Sequence, residues 1–128
     1  LSRVGLAMIA VALGDVDAAR TLYAALASPR EVMPPPAGIS LERVLGRLAR
    51  TIGDLEATVA HFENALVDCR NGGYRPESAW VAYDFGDALR ARNTARDRAQ
   101  AVALIDEANA IALELEMSPL MQKLATWK

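Results

Sequence analysis

The chain has 128 residues, enough to bury a core of its own, and it is 52% apolar against 23% charged, the balance of a folded protein. A net charge of −2 supplies no global field to recruit nucleic acid or an anionic membrane. One cysteine, Cys69, and one histidine, His61, exclude an intrachain disulfide, a cysteine-based zinc site and a paired-histidine metal site.

The first stretch, LSRVGLAMIAVALG, is apolar from Val4 to Leu13. It falls short of the ~18 apolar residues of a membrane span. It lacks a charged flank of several residues and runs into Gly-Asp, so a signal peptide is the weaker reading beside a helix. The start at Leu fits a piece of a longer polypeptide. Along the chain valine and isoleucine are embedded among alanine and leucine at spacings of three and four, a helical pattern with almost no strand signal. The pattern predicts helices at about 2–13, 16–27, 40–51, 55–71, 76–92, 96–115 and 119–127.

Punctuation supports these bounds. SPREVMPPPAG, 28–38, carries four prolines and is the one long irregular connection. Gly72-Gly73 tolerates positive φ after a helix, and Pro76 opens the next. Thr94 with Asp97 three residues on approximates a capping box. Ser118 before Pro119 reads as an N-cap with proline at the first helical position.

A repeat runs through these elements. Gly14-Asp15 and Gly53-Asp54 stand 39 positions apart, and each is followed by a helix with an aromatic nine residues past the glycine, Tyr23 and Phe62. Helix, tight turn and helix make a hairpin, and recurrence at about 34–45 residues is the signature of a helical solenoid. Thr58, Phe62 and Ala65 form one stripe at i, i+4 and i+7, repeated by Ala19, Tyr23 and Leu26 and by Ala101, Ile105 and Ala108. The small residues let a partner helix approach, and the larger side chain fills the space that remains.

These residues resemble tetratricopeptide repeats. The middle hairpin carries the match through Leu45-Gly46, the Gly53-Asp54 turn, Thr58, Phe62, Ala65 and Leu66. LGRLARTIGDLEATVAHFENAL, YRPESAWVAYDFGDALRAR and AVALIDEANAIALELEMSPL are similar to the C-terminal repeat region of large bacterial signalling proteins, over roughly residues 20–124. Those proteins join a nucleotide cyclase or DNA-binding domain, an AAA/NACHT-type ATPase and a helical-repeat tail. The resemblance implies an all-α, right-handed tetratricopeptide-like array in one domain, 1–128. It would hold about three antiparallel helix pairs, at about 1–27, 39–72 and 76–115, and a C-terminal capping helix at 118–127. Four features depart from the family. Glu116 stands where a glycine usually ends the helix, which predicts a less sharply turned terminus; Asn93 replaces a turn glycine; TARDR lengthens that turn. The proline loop is also shorter than in typical relatives.

Chemistry-bearing residues are few. Adjacent residues on a helix point about 100° apart, so Glu63, two positions on, does not face His61, which lacks an orienting partner nearby in sequence and reads as structural. Cys69 reads as a packing residue, and Asp106, Glu107, Glu114 and Glu116 as solvated helix surface. There is no P-loop, GxGxxG or EF-hand loop. Arg90, Arg92, Arg96 and Arg98 surround a turn, partly offset by Asp87 and Asp97; a phosphate site there is the minor reading.

The informative constellation lies on the first helices of the hairpins. Arg43, Arg47 and Arg50 share one face, and Trp80, Tyr83, Asp87 and Arg90 share the matching face of the next hairpin. The resemblance places these helices on a concave surface, where arginines would fork carboxylates and an aromatic would anchor a partner. The alternative is that the arginines are solvated and Trp80 and Tyr83 are core, Tyr83 above all, because the family commonly has tyrosine there. The expectation is a cytoplasmic, non-catalytic protein-interaction or regulatory module of a larger bacterial protein. It uses no cofactor or metal, binds a protein or an intramolecular domain, and engages neither nucleic acid nor membrane. The rival is a small-ligand-sensing domain with a pocket between stacked hairpins.

Overall fold

The computed structural model describes residues 2–27 and 40–127. The proline-rich connection lies outside the described residues. Among those described there are seven helices and no strand: α1 (Arg3–Leu13), α2 (Val16–Ala27), α3 (Leu41–Ile52), α4 (Leu55–Gly72), α5 (Arg75–Arg92), α6 (Ala95–Glu114) and α7 (Ser118–Thr126). The protein is all-α. No helix among the described residues is long and apolar enough to cross a membrane.

Left-handed residues end the helices. Gly14, Gly53 and Gly73 have φ of 65°, 98° and 71°. The next amide then turns back: Asp15 N–H donates to the Ala10 carbonyl at 3.0 Å, Asp54 to Ala49 at 3.0 Å and Tyr74 to Cys69 at 2.9 Å. This double closure satisfies carbonyls that a helix end otherwise leaves open. Asn93 takes the same conformation, φ 64°, as its tolerance of that region suggested. Glu116 corrects an expectation. Its terminus is sharply turned, with φ 55° and Met117 N–H donating to the Ala112 carbonyl at 2.9 Å. The glutamate itself adopts the conformation a glycine would take more cheaply.

Two further expectations are corrected. TARDR does not lengthen its turn. Thr94 is the N-cap and Ala95 already helical, and both bonds of the capping box with Asp97 form. Ser118 is the first helical residue of α7, and the N-cap, Met117, has no side-chain capping bond. The connections α1–α2, α3–α4, α4–α5 and α5–α6 thus have only two residues, and α6–α7 only three, so successive helices lie antiparallel.

Each helix packs on the next; in addition α1 reaches α3, and α3 reaches α5. The stripe of Thr58, Phe62 and Ala65 is buried, as is that of Ala101, Ile105 and Ala108. In α2 Ala19 is buried and Tyr23 and Leu26 partly so. The main core runs from α4 to α7, and a smaller one joins Ala7, Ala19, Val44 and Leu48. Gly46 explains the Leu-Gly pair of α3: a Cβ there would lie 2.5 Å from the Phe62 ring. The missing side chain is what lets that ring seat between α3 and α4.

Candidate partner-binding face

The packing of α3 on α5 brings the arginine stripe beside the aromatic and acidic face of α5. Glu77, Trp80 and Asp84 recur at i, i+3 and i+7, one face of a helix, and all three converge on Arg43. Arg43 Nε donates to Asp84 Oδ2 at 2.8 Å and Nη1 donates to Glu77 Oε1 at 3.3 Å. The guanidinium lies 5.4 Å from the Trp80 ring centroid, within cation–π range. Glu77 also accepts from the Ser40 N–H at 2.8 Å, so one buried carboxylate both holds Arg43 and caps the start of α3. Arg43 is therefore committed inside the chain. Of the expected binding arginines it is the one held by two carboxylates of α5.

Further along the same face the pairing loosens. Arg50 reaches Asp87 only at 3.9 Å, while Arg90 donates to Asp87 at 3.0 Å and covers the Trp127 ring at 4.5 Å. Trp127 Nε1 is buried without a hydrogen-bond partner. Arg47, half-buried between Arg43 and Arg50, has no ion-pair or hydrogen-bond partner for its guanidinium among the described residues. Trp80 and Tyr83 are half-buried against the main core. Burial pushes the Tyr83 hydroxyl above its ordinary range; Asp87 and Asp84 add to the shift and Arg90 opposes it. The structure thus joins Arg43 to Trp80 and, more loosely, Arg50 and Arg90 to Asp87, while Tyr83 packs on the main core and the Arg47 guanidinium has no ion-pair or hydrogen-bond partner among the described residues.

Two clusters lie elsewhere. At the junction of the first two hairpins, His61 Nδ1 lies 2.6 Å from Glu42 Oε2, and His61 Nε2 lies 2.7 Å from the Tyr23 hydroxyl. A carboxylate only accepts, so Nδ1 carries the proton, and in the neutral ring Nε2 accepts from tyrosine. His61 has its orienting carboxylate after all, from α3 and not from Glu63. Burial raises the Tyr23 hydroxyl out of its usual range, helped by Asp54 and Glu42. Nothing in local sequence signals this chain, because its members stand 19 and 38 positions from His61.

At the α5–α6 turn, Arg92 forks Asp97 through Nε and Nη2, both at 2.8 Å, and Nη1 reaches Glu56 at 3.2 Å. Arg92 holds the Asp97 carboxyl well below the usual carboxylate range, and the Thr94 hydrogen bonds add to this. A cleft of about 420 Å³ opens here, lined by Val59, Phe85 and Leu89 and by the charged Glu56, Glu63 and Arg96. The basic cluster does not converge on one point: Arg90 and Arg92 are ion-paired, and Arg98 donates to the Asn93 carbonyl. Glu107 and Glu114 are also engaged, by Arg70 and Arg75 respectively. Cys69 is a buried thiol, its pKa pushed up by burial, then by Glu77 and Asp68. No group of histidine, cysteine and carboxylate residues suited to a metal occurs among the described residues.

No family model matches the chain, and neither a curated protein nor a solved structure matches it.

Proposed function

We propose that this chain is a tetratricopeptide-like module that performs no catalysis and binds a carboxylate-bearing segment across the α3–α5 face. The observation that carries the reading is Arg47. A half-buried arginine whose guanidinium has no carboxylate partner among the described residues, one turn of helix from Arg43 and its Trp80 contact, is a ready receptor for an acidic side chain. Arg50 and Arg90 steer the ligand, Trp80 supplies apolar contact, and Arg43 holds the two helices in register. The helix pairs with left-handed turns support the array reading. The sequence resemblance supports placing the module inside a larger cytoplasmic bacterial signalling protein, with a partner or another domain of that protein as ligand.

Peptide phage display tests this on the wild-type chain and on Arg47→Glu. Wild type should enrich sequences rich in Asp and Glu, and the variant should lose that enrichment. Equal enrichment on both, or no acidic bias, removes Arg47 as the receptor. A second reading, a small-ligand site, is favoured by the cleft beside Arg96 and Glu63, whose volume is within the ordinary ligand range of roughly 300–1,000 Å³. A thermal-shift screen with zwitterionic metabolites addresses it; a shift lost in Arg96→Ala places the ligand there.

A further inference from the structure

Helix α1 carries one charged residue, Arg3, and exposes Leu6, Met8, Ile9 and Leu13, the last 75% accessible. A helix apolar on every side is normally covered on every side. The packing order shows what kind of cover fits. Helix α3 receives both α2 and α1, α5 receives both α4 and α3, and α7 receives α6. Helices α3 and α5, each the first helix of a pair, are the surfaces on which the preceding pairs rest. Helix α1 is the first helix of its pair, and no preceding pair rests on it among the described residues.

The register agrees. Aligning the left-handed Gly14 with Gly53 places Leu6, Ile9 and Leu13 over Leu45, Leu48 and Ile52. Leu45 and Leu48 are buried, and Leu48 and Ile52 pack with α1 and α2 residues in the smaller core. Two of the apolar positions that seat α3 on the first pair, Leu48 and Ile52, are thus repeated on α1 by Ile9 and Leu13, which face outward.

We infer that the outer face of α1 is a stacking surface for another helix pair, seated on α1 as the α1–α2 pair is seated on α3. The occupant presents on its second helix an uncharged face of small and aliphatic residues, like the α2 face of Ala19, Leu22 and Leu26. Neither Arg47 nor Trp80 takes part, so this surface and the binding face can fail separately.

Ser2 and Ser40 are matching N-caps. A copy of residues 2–39 placed directly ahead of Ser2 therefore joins the original α1 through the chain's own repeat connection. The expected result is a higher thermal midpoint and about tenfold slower amide exchange in the original α1. Both gains should vanish when Ile9→Glu and Leu13→Glu are introduced into the original α1 alone. The same pair of substitutions should leave the unextended chain's midpoint in place, since both side chains are exposed. Unchanged α1 exchange in the extended protein overturns the inference. So does sedimentation of the unextended chain as a dimer that Leu13→Glu dissociates, because the occupant is then a second copy.

Discussion

Replacing Arg43 with methionine should destabilise the protein by about 3 kcal/mol, the low end of what breaking a buried ion pair costs. The magnitude follows from the surroundings. The Arg43 side chain is 13% exposed and faces Glu77 and Asp84, at 8% and 16%. Methionine replaces much of the apolar stem and keeps contact with Trp80, so lost packing contributes little. What remains is two carboxylates, mostly out of water, facing each other without a cation. Residual solvent access on the Asp84 side keeps the loss at the low end. Urea unfolding gives the number, read as a shift in midpoint at unchanged slope. Adding Asp84→Asn to the methionine variant should recover part of the loss, because one stranded charge is removed. A loss below about 1 kcal/mol, the range of an exposed pair, would show that Arg43 is a rim charge and that the α3–α5 junction is held by something else.

Phe62→Ala should cost about 3–5 kcal/mol by the same assay, since the ring is fully enclosed. Gly46→Ala should cost about 1–3 kcal/mol through overpacking, because the added carbon meets that ring at 2.5 Å. Tyr23→Phe removes the hydroxyl bonded to His61 and should cost about 1 kcal/mol, with Phe at that site still filling its half of the smaller core. For Asp97 the folded pKa is depressed, so its contribution is present above the unfolded value near 3.9 and is lost as pH falls through the lower folded value. Stability measured from pH 5 downward should therefore decline, and Asp97→Asn should flatten that decline. An identical acid limb in the variant would assign it to other carboxylates.

Local signals in the sequence reach as far as local physics does. Gly14, Gly53 and Asn93 mark helix ends because only a few residues enter the left-handed region easily, and Thr58, Phe62 and Ala65 mark a buried stripe because helical spacing puts them together. Glu116 escapes that logic. The packing of α7 behind α6 holds a residue in a conformation its own propensity disfavours. The candidate face was legible as two stripes but not as a circuit. Whether Arg43 is open or satisfied depends on Glu77 and Asp84, 34 and 41 positions away, and no spacing rule connects them. The same distance problem hides Glu42 and Tyr23 from His61, and hides the cleft, whose walls come from three helices.

Side-chain NMR of the arginine Nε–H and tryptophan Nε1–H groups, during titration with an acidic peptide selected on the wild-type chain, bears most directly on the proposed binding face. Arg47 and Trp80 signals should move together and saturate, and the movement should weaken as salt rises. Arg43 should shift little, held by its own carboxylates. Saturating shifts at Arg92 and Arg96 with Arg47 unmoved would put the ligand in the cleft and contradict a binding role for the α3–α5 face.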